Sequence, residues 1–208
     1  MKKNLLIAIW FTVVTTILVG LIYPLAITAV AQALFPGRAN GQLIEMHGKL
    51  VGSRIIGQTF TAPGYLHSRP SAAGAGYDAS SSGGSNLAPT NKALIERVRA
   101  DVQKLRAENP ATPIPVDLVT ASGSGLDPDI SPAAAGFQVP RLARERGMSE
   151  AAVRALVRKH TKRRQFGILG EPRVNVLELN LELDSAHPMR SSGAELARER
   201  ASSGGSKR

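Results

Sequence analysis

The sequence predicts an α+β protein in three parts. One N-terminal transmembrane helix covers residues 1–37, a single extracytoplasmic α/β domain covers residues 38–184, and a disordered C-terminal tail covers residues 185–208. Three observations predict this. Asn4 to Gly37 contains no Asp, Glu, Lys or Arg, and its middle, Leu5 to Ala33, is almost wholly apolar. Downstream, stretches with helical spacing are interleaved with short strand-like runs and Gly/Ser/Pro-rich loops. From Ser185 onward the chain is Ser, Gly, Arg and Glu, with little to bury.

The apolar run comes first. A bilayer core about 30 Å thick needs about 20 residues of helix at 1.5 Å each. Helix is the one single-segment structure that satisfies its own backbone in lipid. Lys2 and Lys3 precede the run, so the positive-inside rule puts the N-terminus in the cytoplasm and the rest of the chain outside. Ala29-Val30-Ala31 fits the small-x-small pattern of a cleavage site. A signal h-region, however, has only about 7–15 apolar residues, so a retained anchor is the better reading. A buried core helix rarely stays uncharged on all sides for this length. Pro24 removes one backbone donor and leaves the Gly20 carbonyl without it, which predicts a kink. Thr12, Thr15 and Thr16 bond either back to their own helix or across to a neighbour.

Composition narrows the classes. The 208 residues include no Cys, which excludes disulfides, thiolate metal sites and Cys nucleophiles. The formal charge is +10, yet aromatics are few and an anchor adjoins the domain, so nucleic acid is not the expected partner. The excess charge suits solubility, anionic lipid heads or an acidic partner.

Pro36-Gly37 ends the first helix, and Ala39 to Gly48 read as a juxtamembrane connector. Lys49 to Gln58 read as strand. Tyr65 to Asn91 form a long Gly/Ser/Pro-rich loop, and loops of that length inside a domain are functional or disordered. Thr90 or Asn91 caps a helix carrying Leu94, Ile95, Val98, Val102 and Leu105, stopped by Asn109-Pro110. Pro113 to Thr120 read as a short strand running into the turn Ala121 to Pro128. Ser131-Pro132 opens another helix, broken near Pro140 and ending at Gly147. Ser149 caps a third, with Val153, Leu156 and Val157 in a stripe and basic residues at its end. Val174 to Leu183 alternate, with Leu177, Leu179, Leu181 and Leu183 on one face, and read as a half-buried strand.

Local chemistry is sparse. The turn Thr120-Ala121-Ser122-Gly123-Ser124-Gly125-Leu126-Asp127-Pro128 lies between strand-like and helical segments, where phosphates are often cradled. It matches neither the P-loop nor a dinucleotide fingerprint, and a tight turn is the simpler reading. Ser122 or Ser124 would need His160 and an orienting carboxylate to act as nucleophile, and the G-x-S-x-G elbow is absent. The four histidines, His47, His67, His160 and His187, lack metal spacing. Asp127 and Asp129 flank Pro128 as turn and cap residues. The residues alone describe a single-pass anchored domain without an active site.

Four stretches together go further. They are Tyr65 to Ala72; Ser82-Gly83-Gly84-Ser85-Asn86-Leu87 with Pro89-Thr90-Asn91; Val119 to Pro128; and Gly170-Glu171-Pro172-Arg173-Val174-Asn175. In this order they resemble the C subunit (KdpC) family of Kdp-type potassium-transporting P-type ATPases, from the anchor to about Asp184. Asp129 stands where that family commonly has His, and Ala88 where it commonly has Gly. The resemblance implies a non-catalytic accessory subunit of the bacterial inner membrane. Its partners would be a channel-like potassium-binding subunit, a P-type catalytic subunit and a small helical subunit. The family is described as a catalytic chaperone that raises the ATP affinity of the catalytic subunit. ATP and potassium are then handled by the complex, with no cofactor assigned to this chain.

By the same resemblance, Ser82-Gly83-Gly84 is similar to an ABC-transporter signature and is linked with nucleotide contact. His67, Arg69, Ser85, Asn86, Thr120, Ser122, Gly123, Ser124, Gly125, Asp127, Glu171 and Arg173 join it as interface or nucleotide-linked candidates. An outside domain cannot touch cytosolic ATP, so any effect on ATP affinity is expected to pass through the anchor or the partners. Such a coupling is typically about 1–3 kcal/mol. The competing expectations are an anchored hydrolase or anion-binding domain using Ser122 or Ser124, and a basic surface binder with strong salt dependence.

Overall fold

The computed structural model describes residues 2–46 and 48–188. Its chain groups into two units that meet between Ile55 and Ile56.

The first unit is dominated by one helix, Lys2–Leu34, of 33 residues, long and apolar enough to cross a bilayer and containing Leu5, Pro24 and Ala33. It consists of α1 (Lys2–Thr15), a π-helical stretch (Thr16–Ile22) and α2 (Tyr23–Leu34). The π stretch answers the expected defect at Pro24. Proline cannot donate to the Gly20 carbonyl, and the helix widens just before it, so that the Tyr23 N–H reaches back five residues to Leu18 O. Thr15 satisfies itself, donating to Phe11 O at 2.7 Å. After the helix, Pro36 opens a single turn, α3 (Pro36–Ala39), and Gln32 and Asn40 exchange amide hydrogen bonds of 3.0 and 3.2 Å. The expected connector is instead half of a hairpin. β1 (Leu43–Met46) pairs antiparallel with β2 (Lys49–Ser53), with a bulge between Ile44 and Glu45. Strand structure stops at Ser53, short of the expected Gln58.

The second unit holds the core. After a long irregular segment come α4 (Lys92–Glu108), β3 (Asp129–Ile130), α5 (Pro132–Phe137), α6 (Val139–Arg146), α7 (Glu150–His160), β4 (Thr161–Lys162), β5 (Arg173–Asn175) and α8 (Val176–Ala186). The caps fall where the side chains dictate. Asn91, Ser131 and Ser149 each accept a backbone N–H of the first turn, and Gly147 closes α6 at φ 64°. The three short strands form an antiparallel sheet ordered β3-β5-β4, with Asp129 opposite Asn175 and Thr161 opposite Val174. Leu66, Phe137, Leu142, Val153, Val174, Leu179 and Leu183 are fully or almost fully buried at the centre. Burying a side chain of this size contributes about 1.5–3 kcal/mol.

Two expected strands are something else. Val174 to Leu183 is strand only to Asn175 and then helix. Val176, Leu179, Asn180 and Leu183 share the buried face at i, i+3, i+4 and i+7; of the alternating leucines, Leu179 and Leu183 fall on it one turn apart, and Val176 and Asn180 complete it. The Asn175 side chain accepts the Glu178 N–H at 3.0 Å, a helix start spelled Asn-x-x-Glu. Pro113 to Thr120 contains only a 3₁₀ turn at Val116–Leu118, because Pro113 and Pro115 have no N–H to give a ladder. The helix α8 runs on through Ser185 and Ala186. The remainder of the expected tail, from Met189, lies outside the described residues, as do Met1 and His47.

Candidate functional site

Most of the predicted site residues meet where the 65–91 loop lies against the 119–128 turn, in the second unit. Arg69 is the hub. Its Nε donates to Thr120 O at 3.1 Å, its Nη2 to Thr120 Oγ1 at 3.2 Å, and its Nη1 to Asp127 Oδ2 at 3.0 Å. A planar guanidinium with five donors suits several acceptors at fixed angles, where Lys would not. Ser71 Oγ donates to Gly125 O at 2.6 Å and accepts the Tyr77 N–H, while Tyr77 OH donates to Arg69 O at 2.6 Å. Burial pushes the Tyr77 hydroxyl pKa above its ordinary value.

The Ser-Gly-Gly triplet is stitched to the same turn. Gly83 N–H donates to Ser124 O at 2.8 Å and Ser82 Oγ to the same oxygen at 3.0 Å. Two glycines allow the approach. A Cβ on Gly57 would stand 2.6 Å from both Asp127 O and Tyr77 Cε1, and one on Gly125 2.6 Å from Ala73 N and Gly83 O. Asn86 takes a left-handed backbone at φ 50°, and Ser85 beside it is exposed.

A second run of charges continues from this knot. Asp127 Oδ1 accepts the Asp129 N–H at 3.0 Å, and Asp129 pairs with Arg173 Nε at 3.0 Å and accepts from Asn175 Nδ2 at 3.1 Å. Burial outweighs those two partners and raises the Asp129 carboxyl pKa above its ordinary value. Arg69, Asp127, Asp129, Glu171 and Arg173 help to line a groove of about 520 Å³. Glu171 itself is exposed and takes both its oxygens to Arg164 Nη2 at 2.7 Å.

His67 sits elsewhere, on the extended segment held by buried amides. Its backbone exchanges bonds with the Gln138 side chain at 2.9 and 3.0 Å, and its ring Nε2 lies 3.1 Å from Ala62 O. Burial, reinforced by the charge of Arg141, lowers its pKa. Asn180 does for Leu66 what Gln138 does for His67, bonding its N–H and C=O at 2.8 and 3.0 Å. Arg146 holds Gly64 O at 2.6 Å and Asp184 Oδ1 at 2.9 Å, and Arg141 holds Tyr65 O at 2.8 Å. None of Gln138, Arg141, Arg146 and Asn180 is among the sequence-predicted residues. The available signal was a polar side chain set inside an apolar helical stripe, as Asn180 is between Leu179 and Leu181.

The arrangement is architectural. Ser122 and Ser124 hydroxyls face each other at 3.4 Å, and Ser124 Oγ accepts the Leu126 N–H. His160 is engaged by Glu182, not by either serine. Among the described residues, no buried side-chain nitrogen or oxygen lacks a hydrogen-bond partner. Nor do three or more His, Asp or Glu come together as a metal would require.

Against known proteins, residues 5–185 match the family model described as KdpC, the c chain of K+-transporting ATPase. A potassium-transporting ATPase KdpC subunit from Koribacter versatilis is 62% identical over 91% of this chain and 98% of its own length. That from Acidobacterium capsulatum is 58% identical over 89% of this chain and all of its own length. One from Caulobacter vibrioides is 59% identical over 83% of this chain and 88% of its own. The chain belongs to the KdpC family, the c chains of K+-transporting ATPases.

Proposed function

We propose that this chain is a non-catalytic accessory subunit of an ATP-driven potassium-uptake complex in the bacterial inner membrane. The N-terminus is cytoplasmic, and residues 38–184 lie on the outer side. The observation that carries this reading is the family match across residues 5–185, joined to a leading helix that opens on Lys2 and Lys3. The subunits it works beside are a channel-like potassium-binding subunit, a P-type catalytic subunit and a small helical one. The outer part caps and holds the potassium-binding subunit, and the proline-containing helix docks against it.

Within this reading the chain is a catalytic chaperone that raises the catalytic subunit's ATP affinity from a distance. A coupling of about 1–3 kcal/mol, about 5–150-fold, is the usual size of such an effect. The laced loops are the interface. Ser82 to Asn86, with Thr120, Ser122, Gly123 and Ser124, present a surface on which Ser82, Thr120, Ser122 and Ser124 are already hydrogen-bonded within the chain. Such a surface suits recognition better than nucleophilic chemistry, and Arg69, Gly125 and Asp127 support it from behind. Glu171 and Arg173 form the groove's edge.

The test is deletion and rescue. Loss of the chain should abolish growth at micromolar potassium, and a tagged copy in detergent should bring the other subunits with it. Ser124→Ala should restore uptake to within two-fold of the natural chain, as a surface substitution does. Co-purification of nothing, or loss of uptake with Ser124→Ala in a normally assembled complex, would overturn the reading.

A further inference from the structure

Between β4 and β5 the chain leaves the sheet, and the tip it forms is apolar. Phe166 is 83 % exposed, Ile168 74 % and Leu169 54 %. The tip is built to hold this form. Gln165 and Leu169 bridge each other with bonds of 2.8 and 2.9 Å, and Gly167 N–H donates to Arg164 O at 3.1 Å. The Arg164–Glu171 pair, both carboxylate oxygens at 2.7 Å from one nitrogen, closes the neck. Phe166 adopts φ 54°, a conformation that a bulky side chain keeps only where its surroundings enforce it.

An ordered loop that turns its largest apolar groups into water is unfavourable for the isolated chain, and contiguous exposed apolar groups mark contact sites. Of the basic residues between Lys162 and Arg173, Lys162 pairs with Glu178, Arg164 with Glu171 and Arg173 with Asp129, which leaves the charge of Arg163 uncompensated. Arg163 is exposed and has no acidic partner among the described residues. The charged groove begins where this loop ends, at Glu171, Pro172 and Arg173, with Val116, 70 % exposed, lining it as well.

We propose that the Gln165–Leu169 prong is a docking element that seats in an apolar recess with an acidic rim on another subunit of the same complex. An apolar anchor ringed by charge is the usual anatomy of such a contact. A protein rather than a lipid surface is the occupant, because the relatives are themselves subunits and the family is a chain of a larger ATPase. The proposal rests on the accessory-subunit reading and assigns it a surface that the laced loops do not include.

The experiment uses the full-length chain in its complex, with p-benzoylphenylalanine in place of Phe166 and irradiation of intact membranes. The expected result is a covalent product with another subunit of the complex, well above that from the same probe at exposed Glu96 of α4. Phe166→Asn tolerates the left-handed backbone and keeps the loop, yet it should weaken retention in the purified complex by about ten-fold or more, as loss of an anchor does. Adducts with lipid alone, no adduct, or undiminished retention of Phe166→Asn would overturn the assignment. If the natural chain brings down no other subunit, both readings fall. If it assembles normally and the prong reaches no subunit, the prong assignment falls alone.

Discussion

Gly125→Ala isolates the lacing of the two loops. Gly125 has φ +67°, and an added Cβ would meet Ala73 N and Gly83 O at 2.6 Å and Ala73 Cβ at 2.8 Å. Two of those atoms are backbone, so no side chain can swing aside. The left-handed conformation costs a non-glycine residue about 1–2 kcal/mol. Forcing apart two packed segments costs about 1–3 kcal/mol more. The sum, about 2–5 kcal/mol, is a large part of the roughly 5–15 kcal/mol that holds a folded protein together. A chain of this size loses about 2–4 °C of Tm per kcal/mol, so the midpoint should fall by roughly 4–20 °C. Gly123→Ala is the control, two residues away with nothing within 4 Å of its would-be Cβ. It should stay within about 0.5 kcal/mol of the natural chain. Thermal unfolding of the full-length chain in detergent reads both. A Gly125→Ala midpoint equal to the natural one, or an equal fall for Gly123→Ala, would refute the reasoning.

Asn175→Ala removes the cap of α8 together with the bond to Asp129 and should cost about 1–2 kcal/mol in urea unfolding. The native His67 ring binds its proton less readily than the unfolded chain's 6.5, so its contribution to stability is complete above about pH 6.5 and is lost as pH falls through that value towards the lowered native pKa. His67→Gln should therefore flatten the fall in urea midpoint between pH 7 and 5, measured as the difference between variant and natural chain. Since the chain has no Cys, Glu96→Cys gives a unique thiol on an exposed position of α4 outside the proposed interface, which an impermeant maleimide should label in intact spheroplasts; labelling only after lysis would reverse the orientation.

Much of the helical structure was legible because its signals are local. Asn91, Ser131 and Ser149 cap what they precede, and Gly147 stops α6, since each effect involves only a turn of neighbouring backbone. The apolar span was legible for a similar reason, whereas the expectation at Pro24 was a kink and the helix there carries a π-helical stretch, because a missing donor acts on its own helix. The strand-like reading of Val174 to Leu183 shows where locality ends. Leucines at every second position fit a strand's period, yet burial of Val176, Leu179, Asn180 and Leu183 on one face, started by the Asn175 cap, decided for helix. The candidate site follows the same division. Arg69, Ser82 and Gly125 could be picked out as unusual loop residues, but their partners lie about fifty residues away along the chain in most cases, as Thr120 does from Arg69.

Alone, the order of residues determined an apolar span with basic residues before it, the helix starts and stops, and enough motif to place the family, because each depends on composition or on neighbours a few positions apart. Tertiary structure alone decided that Arg69 clamps Thr120 and Asp127, that Gln138 and Asn180 act as strand-like partners for His67 and Leu66, and that Phe166 stays outside while Phe137 is buried. Hydrogen bonding and burial are properties of what meets in space, and a one-dimensional pattern carries no record of that meeting.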